Sequence, residues 1–312
     1  MDRQQTNIYR GIATLVIVLS HVMGTFGNGV RVFTPLGGIG VSVFLLLSAY
    51  GLNEQWNTVY LSIPRRQRIK KWWKKRFVSV WIPYMGIQLV AYWPFHKFNI
   101  WEFVQDLLLI KPLHPLGWYL QYLFMWYVVF FAVRQIREID QYREMIFVLV
   151  AIITFIMLSE IKAEQSMSFP MGIILSERVK IKDKLFSIRY GLTSLVVGIL
   201  FLAMKQTPKI RSANEIIMKG VQLGIKLPCG LGLMIIWYVL SKKYRLQKTQ
   251  AFIGGVGLIS YEIYLIHGYI LQLVPHNSFG LCIFVLGTII LSIVYWMCFK
   301  RIRSMIKMYS IR

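Results

Sequence analysis

One pattern dominates this chain: apolar runs of roughly 17–25 residues recur along its whole length, separated by short basic stretches. At about 1.5 Å per residue, such a run crosses the roughly 30 Å hydrocarbon core of a bilayer as a helix. Only helices and closed barrels satisfy their backbone in lipid, and these runs lack the alternation of a barrel strand. The pattern therefore predicts an all-α, polytopic membrane protein. With 56% hydrophobic residues and a mean hydropathy of +0.53 over 312 residues, the chain is too apolar for a water-soluble globule.

About ten spans are expected, near 8–26, 37–52, 77–94, 116–133, 145–159, 169–175, 190–204, 227–240, 252–274 and 279–299. The sixth is short and opens on Phe169-Pro-Met-Gly172, so it reads as broken or re-entrant. A glycine-rich turn (Gly27, Asn28, Gly29) joins the first two, and long connections cover 95–115 and 205–226. Within the former, 101–110 is amphipathic and fits a membrane surface. Residues 1–312 are expected to form a single integral-membrane domain, with no soluble domain, low-complexity linker or repeat.

A net charge of +23 raises nucleic acid as a partner, but the cations sit in short loops between apolar runs. The densest group is Arg65, Arg66, Arg68, Lys70, Lys71, Lys74, Lys75 and Arg76. Ten spans place both termini on one side, and that side then holds 27 of the 36 Lys and Arg. The positive-inside rule makes it the cytoplasm, which accounts for the charge without nucleic acid. Cys229, Cys282 and Cys298 show no paired spacing and read as small core residues, with no disulfide framework or metal site.

Chemistry is expected first in the run Ile8 to Val22, which carries Arg10 and, eleven positions later, His21. Eleven steps of about 100° bring the two onto one helix face, roughly 16 Å apart along the axis. Arg10 then sits at the membrane boundary and His21 deep inside, where an ionisable group is costly and marks a functional site. A lone His in such a segment also has a bland reading, as a ring bonded to a neighbouring carbonyl. A cleaved signal peptide is not expected, because no small-residue cleavage site follows.

Other polar groups within the spans are few. They include Ser48, Trp118 and Gln121, then Ser260, Tyr261, Glu262, Tyr264 and His267. Ser260, Tyr264 and His267 share one helical stripe, while Glu262 points elsewhere and should require a partner. The stripe equally fits simple helix–helix glue. The basic group before the third span either sets topology and touches anionic lipid, or holds a phosphate-rich ligand such as coenzyme A.

Four stretches resemble the integral-membrane acyltransferase family 3, the O-acyltransferases of bacterial surface glycans. They are Arg10-Gly-Ile-Ala with Ser20-His21; the glycine-rich Gly37 to Ser48-Ala-Tyr50; Arg76-Phe-Val-Ser79 before Pro83; and Ser260-Tyr-Glu-Ile-Tyr-Leu-Ile-His267. Two departures stand out. Ser79 occupies the place of the family's second Arg, and Ala49 that of a Gly.

The resemblance implies transfer of an acyl group, acetyl foremost, from cytoplasmic acyl-CoA to a hydroxyl of a cell-surface or envelope glycan. The protein would reside in the bacterial cytoplasmic membrane. It implies His21 as the catalytic residue, acting as general base or as acyl carrier. Arg10, Arg76 and Lys75 would bind the donor. Ser48, Trp118, Ser260, Tyr261, Glu262, Tyr264 and His267 would line or support the site. No permanently bound cofactor and no metal are implied; the expected partners are acyl-CoA, a glycan acceptor and membrane lipid. Two alternatives stand beside this: a transporter or flippase of a glycan intermediate or acyl species using the same intramembrane polar groups, and an inactive structural partner.

Overall fold

The computed structural model describes residues 2–27, 35–95, 99–178, 186–244 and 246–309. Among these, every regular element is a helix. The turn residues Asn28 and Gly29 lie outside the described residues, as do Arg31, Lys97, Lys180, Lys182, Lys184, Arg245 and Arg312.

The order is α1 (Arg3–Phe26), α2 (Pro35–Gln55), α3 (Arg65–Arg76), α4 (Ile82–Phe95), α5 (Ile100–Leu107), α6 (Gly117–Gln135), α7 (Arg137–Asp140) and α8 (Arg143–Met157). Then come α9 (Glu160–Ala163), α10 (Ser168–Glu177), α11 (Ile188–Gln206), α12 (Pro208–Arg211), α13 (Glu215–Lys243), α14 (Gln247–Leu258), α15 (Ser260–Leu273) and α16 (Ser278–Tyr309). Two π-helical turns, Trp56–Tyr60 and Phe77–Trp81, follow α2 and α3.

Five of these helical stretches are long and apolar enough to cross a membrane: Arg3–Phe26, Pro35–Tyr60, Ile188–Gln206, Glu215–Lys243 and Ser278–Ile302. The pair α14 and α15, interrupted at Ile259, makes a sixth. The remaining expected spans fall on helices too short or too rich in Trp and Tyr: α4 has 14 residues, α8 15, and α6 19. The doubtful sixth span is a 10-residue helix, α10.

Two expectations are corrected. The connection at 205–226 ends early, because Asn214 caps α13 by accepting from the Ile217 amide at 2.9 Å. Lys219 and Lys226 are therefore buried helix residues instead of loop cations. Of the three cysteines only Cys229 is buried; Cys282 and Cys298 are exposed on α16, whose apolar face is largely open.

The described residues form two compact units, Met1–Gln55 with Tyr122–Gly257, and Trp56–Gln121 with Leu258–Arg312. In the first, α1 packs on α2, α2 on α10 and α13, and α11 along α13. Backbones approach closely at glycines, as in membrane helix pairs generally. A Cβ on Gly11 would overlap the Ile253 carbonyl, and one on Gly257 would overlap the Asn7 carbonyl, so α1 and α14 cross in close backbone contact. Ala49, one methyl larger than the Gly expected there, packs beside Gly172 of α10, where a Cβ would lie 2.8 Å from the Ala49 methyl. Tyr9, Ala13, Val43, Leu46, Leu47, Tyr50, Leu175 and Met234 make the core here.

In the second unit α15 packs on α4 and α16, and α5 on α4. Helix α5 is amphipathic as expected, with Ile100 and Trp101 exposed, and it ends where Leu109 turns left-handed at φ 57°.

Candidate active site

Helix α1 starts on a capping box: the Asp2 carboxylate accepts from the Gln5 amide at 2.7 Å. It then runs unbroken for 24 residues, so Arg10 and His21 stand on one continuous helix. Arg10 is exposed, His21 half-buried, and Ser20 between them and α2 is buried. Ser48, on α2 of the same unit, is half-buried.

The other sequence-predicted residues belong to the second unit. Arg76 is buried in an aromatic cage. Its guanidinium lies 4.3 Å from the Trp72 ring centroid, and Nη1 donates to the Tyr60 hydroxyl at 3.3 Å. Trp56, beneath Arg68, and Trp72 are fully buried around it. Lys75, one residue earlier, is exposed, and Ser79 is half-buried in the following π turn.

The α15 stripe forms as expected. Ser260, Glu262, Tyr264 and His267 are buried. Tyr261 donates to the Val80 carbonyl at 2.7 Å, Tyr264 to the Leu116 carbonyl. His267 Nδ1 lies 2.7 Å from the Ile263 carbonyl, which places the proton on Nδ1 and leaves Nε2 as acceptor. Trp118 is half-buried and meets Tyr119 edge to face.

Two buried clusters were not legible as sites. In the second unit Asp106 is fully buried and accepts from the Tyr84 hydroxyl at 2.6 Å, the Leu113 amide at 2.7 Å and the Gln88 amide, which in turn accepts from Tyr269. Beside it His114 accepts from the Leu116 amide on Nδ1 at 2.9 Å and donates from Nε2 to the Leu265 carbonyl at 2.8 Å. Both nitrogens are thus used by the neutral ring. Burial pulls its pKa down to about 4, against the opposing pull of the Leu265 carbonyl and Asp106.

In the first unit Arg134 pairs with Asp140 at 2.8 Å and Arg143 with Glu177 at 2.6 Å. Asn53 donates to Ser176 at 2.7 Å and to Glu177. The ends of α2, α6 and α10 and the start of α8 are thereby joined at one place. The signal was a cluster of charges just beyond three apolar runs, hidden among cations that topology alone explained.

A cavity of about 210 Å³ in the first unit, lined by Leu175, Phe186, Tyr190, Thr193, Ser194, Leu231 and Ile235, contains none of the predicted residues. Its walls are mostly apolar, with Tyr190, Thr193 and Ser194 as their polar side chains. Among the described residues no cluster of three metal-ligating side chains occurs.

A family model described as "Acyltransferase domain" matches residues 5–298. The chain belongs to acyltransferase family 3. The match runs from the first turns of α1 well into α16, so it embraces both units and every predicted site residue. No curated protein and no solved structure matches the chain. Family membership and the apolar helices together make this a membrane protein of an acyltransferase family.

Proposed function

We propose that this protein is a membrane O-acyltransferase that moves an acetyl group from cytoplasmic acetyl-CoA to a hydroxyl of an envelope glycan, with His21 as its reaction centre. The observation that carries this reading is the unbroken helix α1, with Arg10 exposed toward one end and His21 half-buried three turns on. A neutral imidazole has a free ring nitrogen lone pair that accepts a hydroxyl proton. As base, His21 takes the acceptor's proton, the oxygen attacks the thioester carbonyl, and the departing CoA thiolate recovers that proton. As acyl carrier, the ring attacks the thioester carbonyl and expels the CoA thiolate; the acceptor oxygen then displaces the imidazole from the acyl group, and its proton passes to the thiolate.

Arg10, Arg76 and Lys75 hold the donor's phosphates, Arg through its planar fork of donors. The cage around Arg76 supports this role, because a guanidinium fixed on Trp72 loses little freedom on binding. Ser48, Trp118, Ser260, Tyr261, Glu262, Tyr264 and His267 line or support the site.

The topology we propose has ten spans and both termini in the cytoplasm of a bacterial cell, in the inner membrane. The charged cluster Arg134, Asp140, Arg143 and Glu177 supports it. It gathers the ends of α2, α6 and α10 with the start of α8, which a ten-span chain brings to the cytoplasmic side.

Purified protein in proteoliposomes, supplied with labelled acetyl-CoA and extracted envelope glycan, tests the reading. Label is expected in base-labile ester on the glycan, and Arg10→Ala should raise the KM for acetyl-CoA about tenfold or more. Label that remains on CoA, with glycan or acyl species moved across the bilayer, favours a transporter.

A further inference from the structure

Helix α13 carries a polar stripe that the proposed reaction does not use. Glu215, Lys219, Gln222 and Lys226 fall at steps of four, three and four, so they share one face. Glu215 is exposed and pairs with Lys219 at 2.8 Å; Lys219, Gln222 and Lys226 are all buried. Facing them across two rungs are Glu160 and Glu164. The Gln222 amide donates to Glu160 at 3.2 Å, and Lys226 Nζ lies 3.7 Å from Glu164 Oε2. The stripe runs about 16 Å from the exposed start of α13 to its deepest cation.

At its deep end the stripe meets the element that flanks His21. Gln165 donates to the Gly38 carbonyl at 2.9 Å. A Cβ on Gly38 would lie 2.5 Å from Lys226 Cε and 3.0 Å from Glu164 Oε1, and one on Gly37 would lie 2.9 Å from Ser20 Oγ. The two bare backbone positions are what let the ion pair close on α2, one residue from the glycine that touches Ser20. His21 is the next residue along α1.

This arrangement is under-satisfied. The Lys226 ammonium has three donors and meets Glu164 beyond hydrogen-bond length, while Glu164 Oε1 receives only a long 3.5 Å contact from Gln165. Among the described residues the buried Gln222 carbonyl oxygen has no hydrogen-bond partner, and Gln222 is 6% exposed. A buried ion pair is often no more stabilising than apolar residues of the same volume, and one left with open valences is worse. Donors and acceptors alternate along one wall, and each hydroxyl of a polyol both donates and accepts.

We infer that Glu164, Lys226 and Gln222 form a buried hydroxyl-binding site for a sugar acceptor, entered along the α13 stripe and ending beside Ser20 and His21. The inference rests on the acyltransferase reading above. It names the groups that hold the acceptor, where that reading assigned only the donor and the reaction centre. Lys226 donates to one sugar oxygen, Glu164 accepts from a neighbouring hydroxyl, and the Gln222 carbonyl oxygen takes a third.

The test uses native membranes, which carry the endogenous acceptor, together with purified full-length protein. Glu164→Gln and Lys226→Met should each lower acetyl transfer to membrane glycan by about tenfold or more, with acetyl-CoA affinity changed less than about twofold. The double exchange Glu164→Lys with Lys226→Glu keeps the charge pair but inverts its donors and acceptors. It should regain the wild-type thermal midpoint without regaining transfer. Transfer recovered by the exchange, or retained in the single variants, shows a structural ion pair and overturns the site. A parallel loss of acetyl-CoA binding overturns it too.

If wild-type membranes transfer no acetyl group at all, the acyltransferase reading fails on its own, and thiol labelling then judges the site. With Cys229, Cys282 and Cys298 changed to alanine, Gln222→Cys should react with a membrane-impermeant thiosulfonate added outside intact cells. No labelling there means a sealed wall, and the inference falls.

Discussion

One helix crossing in the first unit and one helix cluster in the second are held by different means. In the first, α1 and α14 touch backbone to backbone at Gly11 and Gly257. In the second, α4, α5 and α15 are tied through Asp106, Gln88, Tyr84, Tyr269 and His114, a buried network whose members each fill another's hydrogen-bonding capacity. The glycine crossing fixes distance; the polar network fixes identity and register. The glycine crossing lies next to Arg10 on α1, ten residues before His21. The polar network suits the α15 stripe, whose Tyr264 and His267 must face one way.

That contrast breaks most visibly at the glycines. Gly257→Val, and Gly11→Val with it, should abolish monodisperse protein in fluorescence-detected size exclusion, a cost above about 3 kcal/mol because carbonyl backbone cannot yield. Gly51→Ala and Gly255→Ala, where a Cβ meets nothing within 4 Å, should elute as wild type.

Next in size is Asp106→Ala, which strands the Tyr84 hydroxyl and the Gln88 and Leu113 amides. It should cost about 3 kcal/mol, read as a lowered thermal midpoint and faster proteolysis within 99–116.

A pH titration sharpens the comparison. His114 is neutral in the fold with its pKa lowered to about 4, whereas an ordinary histidine titrates near 6.5. Between these values the unfolded chain binds more protons. Stability is therefore full above about pH 6.5 and is lost as pH falls toward 4, by up to about 3 kcal/mol. His114→Gln should flatten that slope in thermal midpoints measured from pH 7.5 to 4.5. The smallest effect belongs to Lys111→Ala: its 3.9 Å pair with Glu102 is solvent-exposed, and loss should shift stability by less than about 0.5 kcal/mol.

Helix α1 was legible in full, because an apolar run with one cation and one imidazole has few other meanings and depends only on local periodicity. The α15 stripe was legible for the same reason. The start of α13 was not. Lys219 and Lys226 read as loop cations until Glu215 and Glu164 stand beside them, and the second of those partners is 62 residues away in sequence. The recurrence of Lys219, Gln222 and Lys226 at three- and four-residue steps was the available signal, and the charge tally absorbed it. Asp106 was hidden within an amphipathic helix, where a carboxylate normally faces water; Tyr84 and Gln88, a helix away, and the Leu113 amide make its burial affordable.

The measurement that bears most directly on the account is the rate of acetyl transfer by His21→Gln, normalised to folded protein by size exclusion. The account predicts a wild-type elution profile and thermal midpoint with transfer reduced by about a hundredfold or more, the contribution expected of a lost base or nucleophile. A correctly folded His21→Gln protein that keeps half the wild-type rate contradicts it.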